Sequence, residues 1–441
     1  MTGLYAHLSA SDLEQLQRDA DSSLLHYGTS FHPDIITRAH GNSIFTSSGH
    51  TMLDWTSGQM STLISHGNPE IRHAVPAGDQ PGEEANLGKK LTGLLPEGLD
   101  KALFLSTGGE SNEYAIRLAK LYTGKHEIVG LSSSWHGITS GANGAHYHSR
   151  NAGYGPTMPG NLMISSPNAY RSIFRHADGS HDWQTELDYG FSLVDQQSSG
   201  SLAAILVEPI LSSGGMHPLP PGYLRALKQH CEKRDMLLIV DEAQTSIGRA
   251  GDLFAFTHDG DGVVPEILTL SKTLGNGPPL TRFLFYTTHV NDPIPAAVGE
   301  KVLDIVVRDN LVEHARSLGL KLQAGLRRLQ SRYGCIGDVR GRGLMAGVEI
   351  VAGPTSKTPA PEVGARVAGR MYELGLWAQL ATMASFGGVF RIAPPLTTTE
   401  EELERGLAIM EEALRVSEGT LPLYLDDGIV ESTAVRPESG R

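Results

Sequence analysis

The chain has 441 residues, with 40% hydrophobic and 19% charged side chains, a composition that suits a large globular domain of about 250 residues with smaller flanking parts. Its formal net charge is −13, with 36 Lys+Arg against 49 Asp+Glu, which excludes a general nucleic-acid or anionic-membrane binder but leaves room for a local basic pocket. Cys231 and Cys335 are the only cysteines and stand in no CxxC or Cys/His metal pattern, so neither a disulfide framework nor a zinc site is expected, and a reducing cytoplasm fits.

The first residues show no basic stretch followed by an apolar run, and no window is apolar enough to span a bilayer, so neither a signal peptide nor a transmembrane helix is expected. Residues 11–27 read as a short polar-faced helix. A hairpin follows, in which the apolar residues at 44–45 and the run 52–55 flank the turn at 47–49. From about 100 to 275 short apolar runs (102–105, 127–131, 202–207, 237–240, 267–270) alternate with helical stretches such as 112–122 and 221–234. That alternation predicts βαβ units and a mostly parallel sheet. After 296 the pattern turns helical, notably over 311–333, then gives a strand pair (335–339, 344–351), a helix near 361–374 and an extended run at 391–396. Thr399 and Glu402 have the spacing of a capping box opening a helix to about 417. The polar residues 418–441 are expected to be a disordered tail.

Four segments carry chemistry. In LTLSKTLG (268–275), Lys272 follows an apolar strand, at the end of an α/β sheet where ligands bind. A partly desolvated amine there favours its neutral form and can attack an aldehyde carbon. Taken alone, it reads more readily as a surface lysine whose stem covers apolar surface. In LLIVDEAQTSIG (237–248), Asp241 lies just past a buried strand, where a carboxylate is costly unless paired. A pyridinium nitrogen suits it, with Gln244 reaching the ring edge; a helix N-cap is the plainer alternative. In ALFLSTGGESNE (102–113), Thr107, Gly108 and Gly109 form a strand-to-helix turn with free backbone N–H groups, a phosphate cradle that is also ordinary turn chemistry. In SWHG (134–137), Trp135 can stack on a planar ring, or be core with His136 a satisfied polar neighbour. Together the four point to a pyridoxal phosphate (PLP) site.

These segments, with DWTSGQM (54–60), EPILSSGG (208–215), YTTHV (286–290) and FRIAPP (390–395), resemble the class III aminotransferases. Within that family the pattern is most similar to enzymes that decarboxylate 2,2-dialkylglycines, through Gln59, Trp135 and the Ser212–Ser213 pair. The resemblance runs over about residues 25–415 and implies the α/β, PLP-dependent transferase fold of type I. In that fold a large PLP-binding domain (56–305) has a mostly parallel central sheet flanked by helices. A smaller α+β domain is built from N-terminal (1–55) and C-terminal (306–417) segments.

The resemblance also implies roles. Lys272 would form the internal aldimine (a Schiff base) and move a proton at the cofactor carbon. Asp241 would pair with the ring nitrogen and Gln244 with the ring hydroxyl. Thr107, Gly108 and Gly109 would hold the phosphate, with Thr288 reaching it from a neighbouring subunit of a homodimer or homotetramer. Trp135 would shape the substrate site. Gln59 and Ser213 would bind the carboxylate to be lost, and Arg391 a carboxylate in the other orientation. The family's alkali-metal site maps here onto Thr288, Val290 and Asp292.

The implied reaction releases carbon dioxide and a ketone from a substrate such as 2-aminoisobutyrate and passes the amino group to a 2-keto acid such as pyruvate. The bond to be broken must stand perpendicular to the cofactor ring, and a bidentate Arg391 clamp suits the carboxylate that lies in plane. The alternatives are an ω-aminotransferase without decarboxylation, or a shortened, inactive protein of the same fold. The last arises because two stretches are shorter than the family pattern. Residues 73–83 read as a polar loop where relatives continue a helix. Between Lys272 and Thr288 the chain lacks length for one strand of the central sheet and a helix.

Overall fold

The structure, a computed structural model, describes residues 9–23, 34–77, 83–146, 156–275, 293–383 and 386–418. Its centre is a sheet of five described strands in the order Ile267–Leu270, Leu237–Glu242, Leu202–Val207, Glu127–Leu131 and Asn161–Ile164. Every neighbouring pair is parallel. All six residues of Leu202–Val207 are buried. A strand covered on both faces needs a continuous apolar run rather than alternation, which is what this sequence shows. Helix Gly108–Thr123 precedes the first of these strands in sequence, and Trp183–Gln197 and Tyr223–Arg234 lie between later ones. The first is bounded by Thr107, whose side chain accepts from the N–H of Glu110, and by Gly124 at φ 66°.

The N-terminal hairpin pairs Ser43–Thr46 with Thr51–Asp54 in antiparallel register. Its inner strand is then joined, in parallel, by Leu376–Trp377 from far along the chain. A separate antiparallel sheet runs Ile336–Arg342, Met345–Ile350, Phe386–Ile392, Gln379–Met383. Residues from both ends of the chain thus meet beside the central sheet. The capping box forms reciprocally: Thr399 N–H donates to Glu402 Oε2 at 2.9 Å, and Glu402 N–H to Thr399 Oγ1 at 3.1 Å, opening Glu400–Glu418.

Three expectations need correcting. Residues 73–77, expected as loop, complete the helix Pro69–Ala77, and the next helix, Glu83–Leu94, starts at the far end of the same stretch. Pro76 sits in the last turn of the first helix, so the breaker residues there end a helix instead of preventing one. Residues 102–105 fall outside the regular strands of the described sheet and lead into the turn at Ser106. The helix after them starts at Gly108, four residues earlier than the apolar spacing suggested, because Thr107 caps it. The stretch before Thr288 and the tail 419–441 lie outside the described residues. Both cysteines are buried and neither forms a disulfide. Among the described residues no helix is long and apolar enough to cross a membrane.

Candidate active site

Lys272 and Asp241 come from adjacent parallel strands. Thr269 pairs in register with Asp241 and Leu270 with Glu242, so the chain leaving the outer strand puts Lys272 at the carboxyl end of the sheet, where a ligand site is expected. Lys272 opens a single 3-10 turn to Leu274. Desolvation is the main cause that brings its ammonium down to about 8; Arg391 also lowers it, while Asp241 and Glu208 oppose. The amine is thereby poised near neutral pH.

Asp241, 3% exposed, is held by three donors. Its Oδ2 accepts from Asn112 Nδ2 at 2.7 Å and lies 2.8 Å from His136 Nδ1, and its Oδ1 accepts from the N–H of Ala243 at 3.0 Å. It is therefore a fixed buried carboxylate and no helix cap. His136 is a buried polar neighbour paired through Nδ1 only; its Nε2 has no partner among the described residues, so the satisfied histidine that the sequence allowed is half realised. Trp135, next to it, stacks on His146 with ring centroids 4.7 Å apart and 16° between planes.

The glycines of the 107–109 turn allow close approach. A Cβ on Gly108 would sit 3.1 Å from the Ser271 side chain, beside Lys272. A Cβ on Gly137, whose φ is +119°, would sit 2.4 Å from Gly109 Cα. The helix N-terminus thus packs against the Trp135–Gly137 turn and against Ser271, the residue before Lys272.

A second cluster gathers around Arg391. Its NH1 donates to Gln379 Oε1 at 3.0 Å; its NH2 donates to Ser212 Oγ at 2.9 Å and to Gln244 Oε1 at 3.0 Å. Ser212 Oγ in turn donates to the same Gln244 oxygen at 2.9 Å. With Oε1 engaged twice, the amide nitrogen is the end of Gln244 available to a ligand. Arg391 is buried, its Nε has no partner among the described residues, and its hydrogen-bond partners are all neutral. Burial lowers its guanidinium to about 10, and Glu208 works the other way. Glu208 accepts from the N–H groups of Trp135 (2.8 Å) and Ser212 (3.2 Å). Burial raises its carboxyl to about 7, His136 opposes that, and Asp241 adds to it.

The structure separates some residues the sequence grouped. Gln59 is exposed and lines a cavity of about 560 Å³ with Asp54, His66, Tyr372, Trp377 and Gln379. Met60, the next residue, faces inward, its Sδ 3.9 Å from Arg391 NH2 and 3.5 Å from Ser212 Oγ. Both lie on a left-handed turn, with φ of 47°, 54°, 65° and 67° at Ser57, Gly58, Gln59 and Met60. Bonds from Ser57 Oγ to the Ala393 carbonyl (2.6 Å) and from Gly58 N–H to Asp54 Oδ2 (3.2 Å) hold it. Ser212 meets Arg391, while Ser213 is half-buried beside it. Thr288, Val290 and Asp292 lie outside the described residues. Asn112, Thr269, Glu208, Ser212 and Gln379 were given no role from sequence. Glu208 carried the same signal as Asp241, a carboxylate directly after an apolar strand; nothing local distinguished Ser212 from Ser213.

A half-buried lysine with its ammonium lowered to about 8, an anchored carboxylate on the neighbouring strand, a glycine-opened helix N-terminus and a ring-edge amide fit PLP by the chemistry of their donors, and this fold and site define a PLP-dependent enzyme. Residues 27–414 match the family Aminotransferase class-III, and the chain belongs to it. An uncharacterized aminotransferase of Schizosaccharomyces pombe is 47% identical over 90% of this chain and 93% of its own. Among solved structures, a thermostable (S)-enantioselective omega-transaminase from Thermomicrobium roseum has a TM-score of 0.83 and 28% identity, over 93% of this chain and 99% of that one. An amine transaminase from an uncultivated Pseudomonas species, in its PLP-bound form, has a TM-score of 0.80 and 25% identity, over 90% and 99%. PLP is the cofactor.

Proposed function

We propose that this protein is an aminotransferase that moves an amino group between an amino-acid donor and a 2-keto acid acceptor, gripping the carboxylate of each at Arg391. The observation that carries this reading is Arg391 itself, a buried cation with neutral partners and an unpartnered Nε among the described residues. A buried charge in that state is half of an ion pair, and a planar guanidinium is complemented by a planar carboxylate. The relatives named above are aminotransferases or transaminases, which supports amino-group transfer without loss of carbon dioxide.

PLP, when bound, supplies an electron sink for a bond broken beside the substrate nitrogen. The first-turn N–H groups at Thr107, Gly108 and Gly109 would hold its phosphate, Asp241 its ring nitrogen and Gln244 Nε2 its ring hydroxyl. Trp135 would limit the space beside the ring. Lys272, whose ammonium is lowered to about 8, would accept a proton from the substrate carbon in its neutral form and return it elsewhere. Arg391, fixed through Ser212, Gln244 and Gln379, would set which substituent stands perpendicular to the ring. A homodimer is part of the proposal: Ile138, directly after the Trp135–Gly137 turn, is 76% exposed and is the kind of surface a second copy would cover.

The second reading is decarboxylation of 2,2-dialkylglycines at the same site. The left-handed turn carrying Gln59 supports it, because backbone held in that region by surrounding bonds clusters at functional sites. One assay separates the readings. Amino-group transfer from alanine to a 2-keto acid, with no acetone or carbon dioxide from 2-aminoisobutyrate and pyruvate, supports the first. Stoichiometric acetone and carbon dioxide establish the second. No turnover of either, from protein lacking a visible cofactor band, identifies an inactive member of the family.

A further inference from the structure

Asn112, in the second turn of Gly108–Thr123, is 1% exposed. Its Nδ2 donates to Asp241 Oδ2 at 2.7 Å and to the His136 carbonyl at 2.9 Å. Its Oδ1 accepts from Thr269 Oγ1 at 2.7 Å. Both amide hydrogens are used, and the orientation of the amide follows from its surroundings. Turned over, Oδ1 would face a carboxylate and a carbonyl, two acceptors against an acceptor. Thr269 has a hydroxyl hydrogen to give and reinforces the orientation that is present.

The three partners belong to three different parts of the site. Asp241 is the last residue but one of the strand Leu237–Glu242. His136 lies between Trp135 and Gly137, in the turn that abuts Gly109. Thr269 sits three residues before Lys272 and in register with Asp241. Asn112 itself is four residues past Gly108. One side-chain amide therefore ties the phosphate-turn helix, the aromatic turn, the lysine strand and the ring-nitrogen carboxylate.

We propose that Asn112, oriented by Thr269, is a positioning residue that sets the Asp241 carboxylate against the ring nitrogen of the cofactor and so tunes the cofactor's electronic state. It touches neither cofactor nor substrate and acts through Asp241. His136 supplies the second donor to Oδ2, but its ring is fixed by its own backbone, whose carbonyl Asn112 holds. Without Asn112 both the carboxylate and the imidazole lose a restraint. A displaced carboxylate leaves less positive charge on the ring nitrogen. A less positive ring would withdraw fewer electrons, so a nitrogen conjugated with it would be more basic.

The test uses purified holoenzyme and reads the visible absorbance of the bound cofactor against pH, together with the PLP dissociation constant. Asn112→Ala is expected to raise the midpoint of the absorbance change by about half a pH unit or more and to weaken PLP binding about tenfold or more. Thr269→Val, which removes only the hydroxyl, should shift the midpoint in the same direction by less, and Thr269→Ser should restore it. If Asn112→Ala does not fold, the valine–serine pair carries the test. A midpoint and dissociation constant unchanged in Asn112→Ala or Thr269→Val, even with a lower melting temperature, would overturn the proposal and make Asn112 a packing residue. So would equal midpoints in the valine and serine variants. No substrate enters these measurements, so they stand apart from the choice between transamination and decarboxylation.

Discussion

Arg391 NH2 and Gln244 Oε1 are 3.0 Å apart, so the residue that would grip a substrate carboxylate is bonded to the residue that would meet the cofactor ring. The orientation of Arg391 is therefore not independent of the cofactor. Arg391→Lys removes the fork that bonds Gln379 on one nitrogen and Ser212 and Gln244 on the other. A substrate carboxylate that loses a buried bidentate partner forgoes about 2 kcal/mol or more, so KM for amino and keto acids should rise about thirtyfold or more. Amines without a carboxylate should be nearly unaffected, and a steady-state comparison of alanine with a simple amine checks this.

Lys272 is brought to about 8 chiefly by burial. Below that value the fraction of neutral amine falls about tenfold per pH unit. Apoprotein mixed with excess PLP should therefore gain its visible band at a rate that rises steeply from pH 6 to 8 and flattens above. Stopped-flow absorbance measures it, and Lys272→Ala should give no such band at any pH.

Glu208 is pushed up to about 7 from an ordinary 4.5. Between those values the folded chain holds a proton that the unfolded chain has released, so stability falls as pH rises through that window. Glu208→Gln removes the ionisation. The variant apoprotein should melt close to wild type near pH 4.5 and above it at pH 7 to 8, by no more than about 3–4 kcal/mol. Thermal melts across pH 4.5–8 would show whether the gap opens with that sign.

Gly137 has φ +119° and no room for a side chain against Gly109. Gly137→Ala should cost more than about 2 kcal/mol from backbone strain and overpacking together. The loss should appear first as weaker PLP retention on dialysis, because the turn that moves carries Trp135 and His136.

The central strands and the long helices were readable because their patterns are local. The run LAAILV is apolar throughout since both its faces are covered, and the Thr399–Glu402 spacing forms the capping box it predicts. Residues 73–77 misled because proline and glycine nearby mark both loops and helix ends. Lys272, Asp241, Gln244, the 107–109 turn and Arg391 were legible from motif, each standing at a strand end or a glycine-rich turn. Asn112, Thr269 and Gln379 were not, because nothing local marks a polar residue whose partner is 129, 157 or 12 positions away.

What the sequence determined by itself is the set of elements and the chemistry available at their ends: a lysine after one strand, carboxylates after two others, a helix that opens on glycines. Lys272, first noticed as a lone lysine after an apolar run, could be singled out on that basis but not paired. Tertiary structure decided the pairing. Parallel register sets Thr269 beside Asp241, and Asn112 crosses from a helix to join both. Sequence could not separate Ser212 from Ser213 or Gln59 from Met60, since neighbouring residues on a turn share their local environment. For Gln59 and Met60, which of the two faces Arg391 depends on the left-handed backbone of their turn, held by bonds to Asp54 and Ala393.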